Sequence, residues 1–215
     1  MKEGDQGRPP ERRMSATIDW PDVHVPLTVH PNPDDRRHAA AWALQRLARR
    51  DFVVVDTETT GLGADDQVIE IAVVDPSGKV LIEQLVRPTC PIHPRATAVH
   101  GYDAASLATA PTFMQILPDL HACLGGALAI AYNAPFDERL IRQSAAVWGA
   151  EPINASWECA MRWYAQYVGV TSGSRGGYSS PKLPRGEADQ ARHGARRDCL
   201  LTLKLLTRMA RPVSG

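Results

Sequence analysis

Phe52-Val53-Val54-Val55 is an apolar run that passes directly into Asp56-Thr57-Glu58-Thr59-Thr60-Gly61. A run of β-branched and aromatic residues reads as a buried strand, and the polar hexapeptide is its end and exit. Side chains alternate along a strand, so Asp56 and Glu58 point the same way. Two carboxylates side by side at the edge of a buried sheet repel each other, which is costly unless cations sit between them. Oxygen-only ligands suit the hard cations Mg²⁺ and Mn²⁺. The hydroxyls of Thr57, Thr59 and Thr60 and the open backbone at Gly61 stand where a substrate phosphate could approach. Taken alone, the hexapeptide also reads as a capped loop after a strand.

A second all-apolar run, Ala127 to Tyr132, is buried on both faces and therefore central. Gln67–Val74 and Val80–Val86 are two strands joined by the turn Pro76-Ser77-Gly78, an antiparallel hairpin that pairs with the first strand. Asn32-Pro33-Asp34-Asp35 starts a helix running to about Arg50, with Ala40, Leu44 and Leu47 as its apolar stripe. Pro91-Ile92-His93-Pro94 reads as a stiff loop. Pro111 to Leu124 has helical spacing, with Pro118 predicting a kink or two short pieces. Helices follow over Pro135–Trp148, Ala160–Val168 and roughly Gly194–Ala210, with a short strand at Trp157–Cys159. Three strands, then helix–strand–helix–strand–helix, imply a mixed sheet with helices on its faces.

The 215 residues allow one domain with a full core. Residues 1–33, polar at first and then proline-rich, read as a disordered or extended arm, followed by a helix over 34–50 and a main domain over 51–215. Cys90, Cys123, Cys159 and Cys199 are far apart, which excludes a zinc-finger pattern and offers no disulfide framework. With no long apolar run, the sequence predicts no membrane span and a cytoplasmic location. Net charge is zero, yet residues 51–169 carry six Lys/Arg against fourteen Asp/Glu, and residues 170–215 carry nine against three. An acidic middle and a basic end are compatible with a metal site beside a polyanion track.

Asp137 begins a helix just after the second apolar run. Asp198 lies on the last helix beside the buried Cys199, and His193 precedes it by five residues. Four acids, a histidine and no cysteine ligand fit two hard divalent ions better than zinc. Such a pair, about 4 Å apart, can activate water and stabilise a leaving oxygen, while a histidine takes the proton.

Three motifs carry a family resemblance: D-T-E-T-T-G at Asp56–Gly61, N-x-x-F-D at Asn133–Asp137, and H-x-A-x-x-D at His193, Ala195 and Asp198. Over roughly residues 51–210 the chain resembles the DEDDh group of 3′–5′ exonucleases, which includes proofreading subunits of bacterial DNA polymerases. The resemblance implies an α/β, ribonuclease-H-like fold, a mixed five-stranded sheet with helices on both faces. It also implies hydrolysis of DNA from the 3′ end with release of nucleoside 5′-monophosphates. In that family pattern Asp56 bridges two Mg²⁺ or Mn²⁺ ions, Glu58 and Asp198 hold the ion carrying the attacking water, Asp137 supports the other, and His193 is the general base. Thr59 and the backbone after it meet the terminal 3′-hydroxyl. Leu62 matches an apolar wedge between the last two bases, and Asn133 and Phe136 orient the second motif. His100 lies in a V-H-G segment, where substrate contact and loop capping are equally open.

The implied partner is a nucleic acid with a free 3′ end, single strands favoured; a polymerase or oligomeric partner is left open. RNA trimming and a catalytically silent binding or docking module on the same fold are the alternatives, although all five catalytic residue types are intact. His193 follows Leu183 by only ten positions, a departure that leaves little room for a further helix there. Charge alone suggests that Arg175, Lys182, Arg185, Arg192, Arg196 and Arg197 line the strand's track.

Overall fold

The computed structural model describes residues 31–172, 177–185 and 194–211. The opening apolar run and most of the hexapeptide form β1 (Phe52–Thr59). It pairs antiparallel with β2 (Val68–Val74), which pairs antiparallel with β3 (Val80–Leu85). On its other side β1 runs parallel to β4 (Leu128–Ala131), and β4 runs parallel to β5 (Ser156–Cys159). The sheet order is β3-β2-β1-β4-β5, so β1 is the middle strand and the second apolar run lies one place off centre. The hairpin turn needs its glycine: Asp75 Oδ1 accepts from the backbone N–H of Ser77 and Lys79, and Gly78 sits at φ +84°.

Both faces of the sheet are covered, which is why the first half of β1 and, apart from Glu70, all of β2 are apolar. One face, bearing Phe52, Val54, Ala72, Val74 and Ile130, packs against α1 (Pro33–Arg49), α5 (Ala160–Val168) and α6 (Ala195–Met209). The other, bearing Val53, Val55, Ile71, Val73 and Ala129, packs against α3 (Phe113–Leu124) and α4 (Ala134–Ala146). Leu120, Leu124, Leu140, Leu205 and Leu206 are fully buried between these layers, each contributing roughly 1.5–3 kcal/mol by leaving water.

Three sequence expectations are corrected. The stripe of α1 is rotated by one position: Ala39, Trp42 and Ala43 are buried and Leu44 is 57% exposed. The partner of Trp42 explains the rotation. Its indole N–H donates to Glu158 Oε2 at 2.7 Å, Arg46 Nε donates to the same oxygen at 2.8 Å, and the Trp42 ring stacks on Trp163. Pro118 does not divide α3, because it lies on the solvent face, where water can satisfy the carbonyl it leaves without a donor. The loop expected over Pro91–Pro94 ends at His93, because Pro94 opens a helix: α2 (Pro94–His100) begins at a proline, is capped by His93 Nδ1 accepting from Arg95 N–H, and ends at Gly101. Seven residues are too few for an apolar period to betray a helix.

The described stretch 177–185 is held to the body of the protein at two points. Tyr178 Oη donates to Asp35 Oδ2 at 2.6 Å, and Tyr132 Oη donates to the Pro181 carbonyl at 2.7 Å. The N-terminal arm lies outside the described residues except at its last three positions. No helix among the described residues is long and apolar enough to cross a membrane.

Candidate active site

The alternation of β1 sets the site. Phe52 and Val54 face α1 and α6, and Asp56 and Glu58 extend the same row past the end of the apolar core. Asp198 comes to that row from the first turn of α6. The helix is held against the sheet at the next residue: Cys199 Sγ lies 3.4 Å from the Ala72 carbonyl and 3.6 Å from that of Val54. Glu70 on β2, directly opposite Glu58, accepts the Ala195 N–H at 3.2 Å and so caps α6. As a result one carboxylate oxygen from each of Asp56, Glu58 and Asp198 lies within 4.8 Å of the others.

Asp137 reaches the cluster from the other face. It sits in the first turn of α4, is 3% exposed, and accepts a 2.8 Å hydrogen bond from Thr57 Oγ1. Thr57 points away from Asp56 and Glu58 by strand alternation, so its hydroxyl serves the fourth carboxylate.

These acids are crowded and poorly hydrated. Burial, then the charges of Asp137, Asp198 and Glu58, push Asp56 well above the usual carboxylate range. Burial, then Asp198 and Glu70, push Glu58 up to about 8. Burial raises Asp137 as well, against the Thr57 hydrogen bond. Arg185 works in the opposite sense, lowering both Asp56 and Glu58. The groups that converge among the described residues are carboxylate oxygens, a donor set that fits a hard divalent ion, and such an ion would relieve the repulsion.

The carboxylates form the floor of a cleft of about 1180 Å³. Its lip is the loop after β1, whose conformation is fixed around Asp66. Asp66 accepts from Thr60 Oγ1 at 2.7 Å and from the Gly63 N–H at 2.6 Å. A Cβ on Gly61 would lie 2.6 Å from Asp66 Oδ2, so a larger residue there would push the Asp66 carboxylate off these two donors. Two side chains of α4 clamp the loop from below. Arg139 donates to the Gly63 carbonyl at 2.9 Å, and Gln143 donates to the Asp66 carbonyl at 3.0 Å. The clamp leaves Leu62 at the cleft edge, 79% exposed.

The other sequence-selected residues divide. Thr59, His100, Asn133 and Phe136 line the cleft with Leu62. Thr59 Oγ1 donates to the Gly61 carbonyl at 2.8 Å, and His100 Nδ1 accepts from the Tyr102 N–H at 3.0 Å. The imidazole of His100 therefore closes the end of α2 as well as facing the cleft. Thr60 does not line the cleft: it is fully buried, bonded to Asp66, and accepts the Gln67 N–H at 2.9 Å. His193, Arg175 and Arg192 lie outside the described residues.

Of the remaining basic residues, Lys182 lines the cleft and is exposed. Arg196 turns away to Glu83 on the surface, at 3.3 Å. Arg185 forms an ion pair with Asp198 inside the acidic cluster, rather than keeping clear of it as a track residue would. Sequence reasoning missed Glu70, Arg139, Gln143 and this pairing. Glu70 could have been found as the one acid within Val68-Ile69-Glu70-Ile71-Ala72-Val73-Val74.

A family model described as an exonuclease, RNase_T, matches residues 53–206. The chain belongs to this exonuclease family. The exonuclease is 35% identical over 177 residues to the uncharacterized exonuclease CP81 of Escherichia phage 186, covering 75% of this chain and 89% of that one. It is 31% identical over 161 residues to exodeoxyribonuclease 10 of Escherichia coli K12, covering 71% and 66%. The solved nuclease domain of 3′hExo, a DEDDh family member bound to rAMP, shares its fold at a TM-score of 0.58 and 15% identity, covering 74% of this chain and 92% of that one. The fold is accordingly ribonuclease-H-like, and the converging acids of the exonuclease lie within the matched segment.

Proposed function

We propose that this exonuclease removes nucleotides one at a time from the 3′ end of DNA, single strands preferred, and releases nucleoside 5′-monophosphates. The observation that carries the reading is the convergence of Asp56, Glu58 and Asp198 on the floor of an open cleft, with Asp137 held beside them by Thr57. These four residues would hold two Mg²⁺ or Mn²⁺ ions. When bound, such ions lower the pKa of a water and stabilise the leaving oxygen of an in-line displacement. His193, five residues before Asp198, is the proposed general base.

The protein's own contribution is position. Asp56 and Glu58 are fixed by the middle strand, Asp198 by the Glu70-capped end of α6, and Asp137 by α4. Leu62, set out on its clamped loop, would part the terminal base from its neighbour. Thr59 and the backbone beyond it would meet the 3′-hydroxyl. The name of the Escherichia coli relative, an exodeoxyribonuclease, favours DNA over RNA.

The test compares matched DNA and RNA oligonucleotides labelled at the 5′ end, with products resolved by length and chromatography. A stepwise ladder shortening from the 3′ end, lost in EDTA and restored by Mg²⁺ or Mn²⁺, is the expected result. A 3′-phosphate should block it, and His193→Ala should slow turnover roughly 10²–10⁴-fold while metal still binds. Shortening from the 5′ end, full activity in excess EDTA, or faster attack on RNA would overturn the corresponding part of the reading.

A further inference from the structure

Arg185 stands at the end of the described stretch 177–185, and its guanidinium pairs with Asp198, one of the three converging acids. The pair is largely enclosed, with the two side chains 18% and 7% exposed. The same charge is felt at Asp56 and Glu58. Arg185 therefore addresses the carboxylates that a divalent ion would use. The chain leading to it is anchored by the Tyr178–Asp35 and Tyr132–Pro181 hydrogen bonds, and Leu183 packs against the core on the sheet face that carries α1, α5 and α6. Arginine suits the position, being permanently charged, planar and more weakly hydrated than lysine.

We propose that Arg185 is a built-in counter-cation of the acidic cluster, a positioning residue that holds Asp198 toward Asp56 and Glu58 and that divalent ions must displace. The proposal rests on the metal centre of the preceding section. A guanidinium and a divalent ion in contact with the same carboxylates repel each other and compete for the same oxygens, so each weakens the hold of the other, and the coupling is reciprocal. Displacement releases the downstream end of the 177–185 stretch, while its two tyrosine anchors stay in place. The acids are thus kept assembled before metal arrives, and metal affinity is lowered in return.

The experiment uses the full chain, freed of metal by chelation and dialysis, in wild-type, Arg185→Gln and Arg185→Lys forms. Mn²⁺ alone is titrated by calorimetry, unfolding is followed in EDTA, and hydrogen exchange of residues 177–185 is measured with and without Mn²⁺. Arg185→Gln should bind Mn²⁺ on the order of tenfold more tightly and melt at a lower temperature in EDTA. Arg185→Lys, which keeps the charge, should fall between it and wild type. Exchange near Arg185 in the wild type should speed up when Mn²⁺ is added.

Unchanged or weaker Mn²⁺ binding by Arg185→Gln overturns the proposal. If that variant does not fold, the wild-type exchange decides: faster exchange with Mn²⁺ supports displacement, and unchanged or slower exchange refutes it. A wild-type chain that binds no Mn²⁺ refutes the metal centre itself and this inference with it. Wild-type binding that Arg185→Gln leaves unaltered refutes the counter-cation alone.

Discussion

Glu58→Gln should make the chelated protein more stable at pH 8 while impairing metal binding. Glu58 ionises near 4.5 when unperturbed and near 8 in the fold, where burial and the neighbouring Asp198 and Glu70 oppose its charge. Between those two pH values the folded chain holds a proton that the unfolded chain has lost. Stability contributed by this group is therefore complete below pH 4.5 and disappears as pH rises through 8. At about 1.4 kcal/mol per tenfold change in proton affinity, the ceiling is about 5 kcal/mol. Part of that shift comes from the neighbouring charges of Asp198 and Glu70, which the substitution leaves in place, so one substitution should recover about 1–3 kcal/mol of it. The assay is urea unfolding in EDTA at pH 5, 6, 7 and 8, comparing wild type with Glu58→Gln. The difference should be small at pH 5 and grow toward pH 8 in favour of the variant. With saturating Mn²⁺ the order should reverse at pH 8, because metal binds only the folded, deprotonated cluster. A constant difference across the range, or a variant less stable than wild type in EDTA at pH 8, would refute the account of a charge-strained site.

The clamp on the Leu62 loop should matter for substrate binding more than for chemistry. Replacing both Arg139 and Gln143 by Ala removes the donors to the Gly63 and Asp66 carbonyls and should raise KM for an oligonucleotide about tenfold at roughly 0.5–1.5 kcal/mol per hydrogen bond. The turnover number should stay within a few-fold, and steady-state kinetics beside Leu62→Ala check this; an equal fall in kcat would contradict it. On the far side of the sheet, Glu158→Ala strands Arg46 and the Trp42 N–H. It should cost about 1–3 kcal/mol in urea unfolding, less than a fully buried pair would, and a loss under 0.5 kcal/mol would mean that α1 is not held by this contact.

Much of the site was legible in the sequence because the rules that set it act over a few residues. Strand alternation puts Asp56 and Glu58 on one face wherever the strand ends. An Asn-Pro-Asp-Asp start fixes the first turn of α1, and Pro76-Ser77-Gly78 fixes the hairpin. Two apolar runs without a polar position require cover on both faces, and helices provide it. The motif spacing carried the family without any tertiary information.

Only the tertiary structure decided which neighbour each polar side chain meets. Thr60 is one of three hydroxyl-bearing positions in the hexapeptide, yet it turns inward because Asp66 offers an acceptor there. Leu44 looked like part of a helix stripe, but Glu158 on β5 rewards burial of the face that carries Trp42. Arg185 looked like one cation among several in a basic loop, and its pairing with Asp198 depends on where α6 brings that carboxylate. Local periodicity specifies which face of an element is apolar. The strength of a charge or a hydrogen bond depends on distance and burial, and those exist only once segments remote in sequence have packed together.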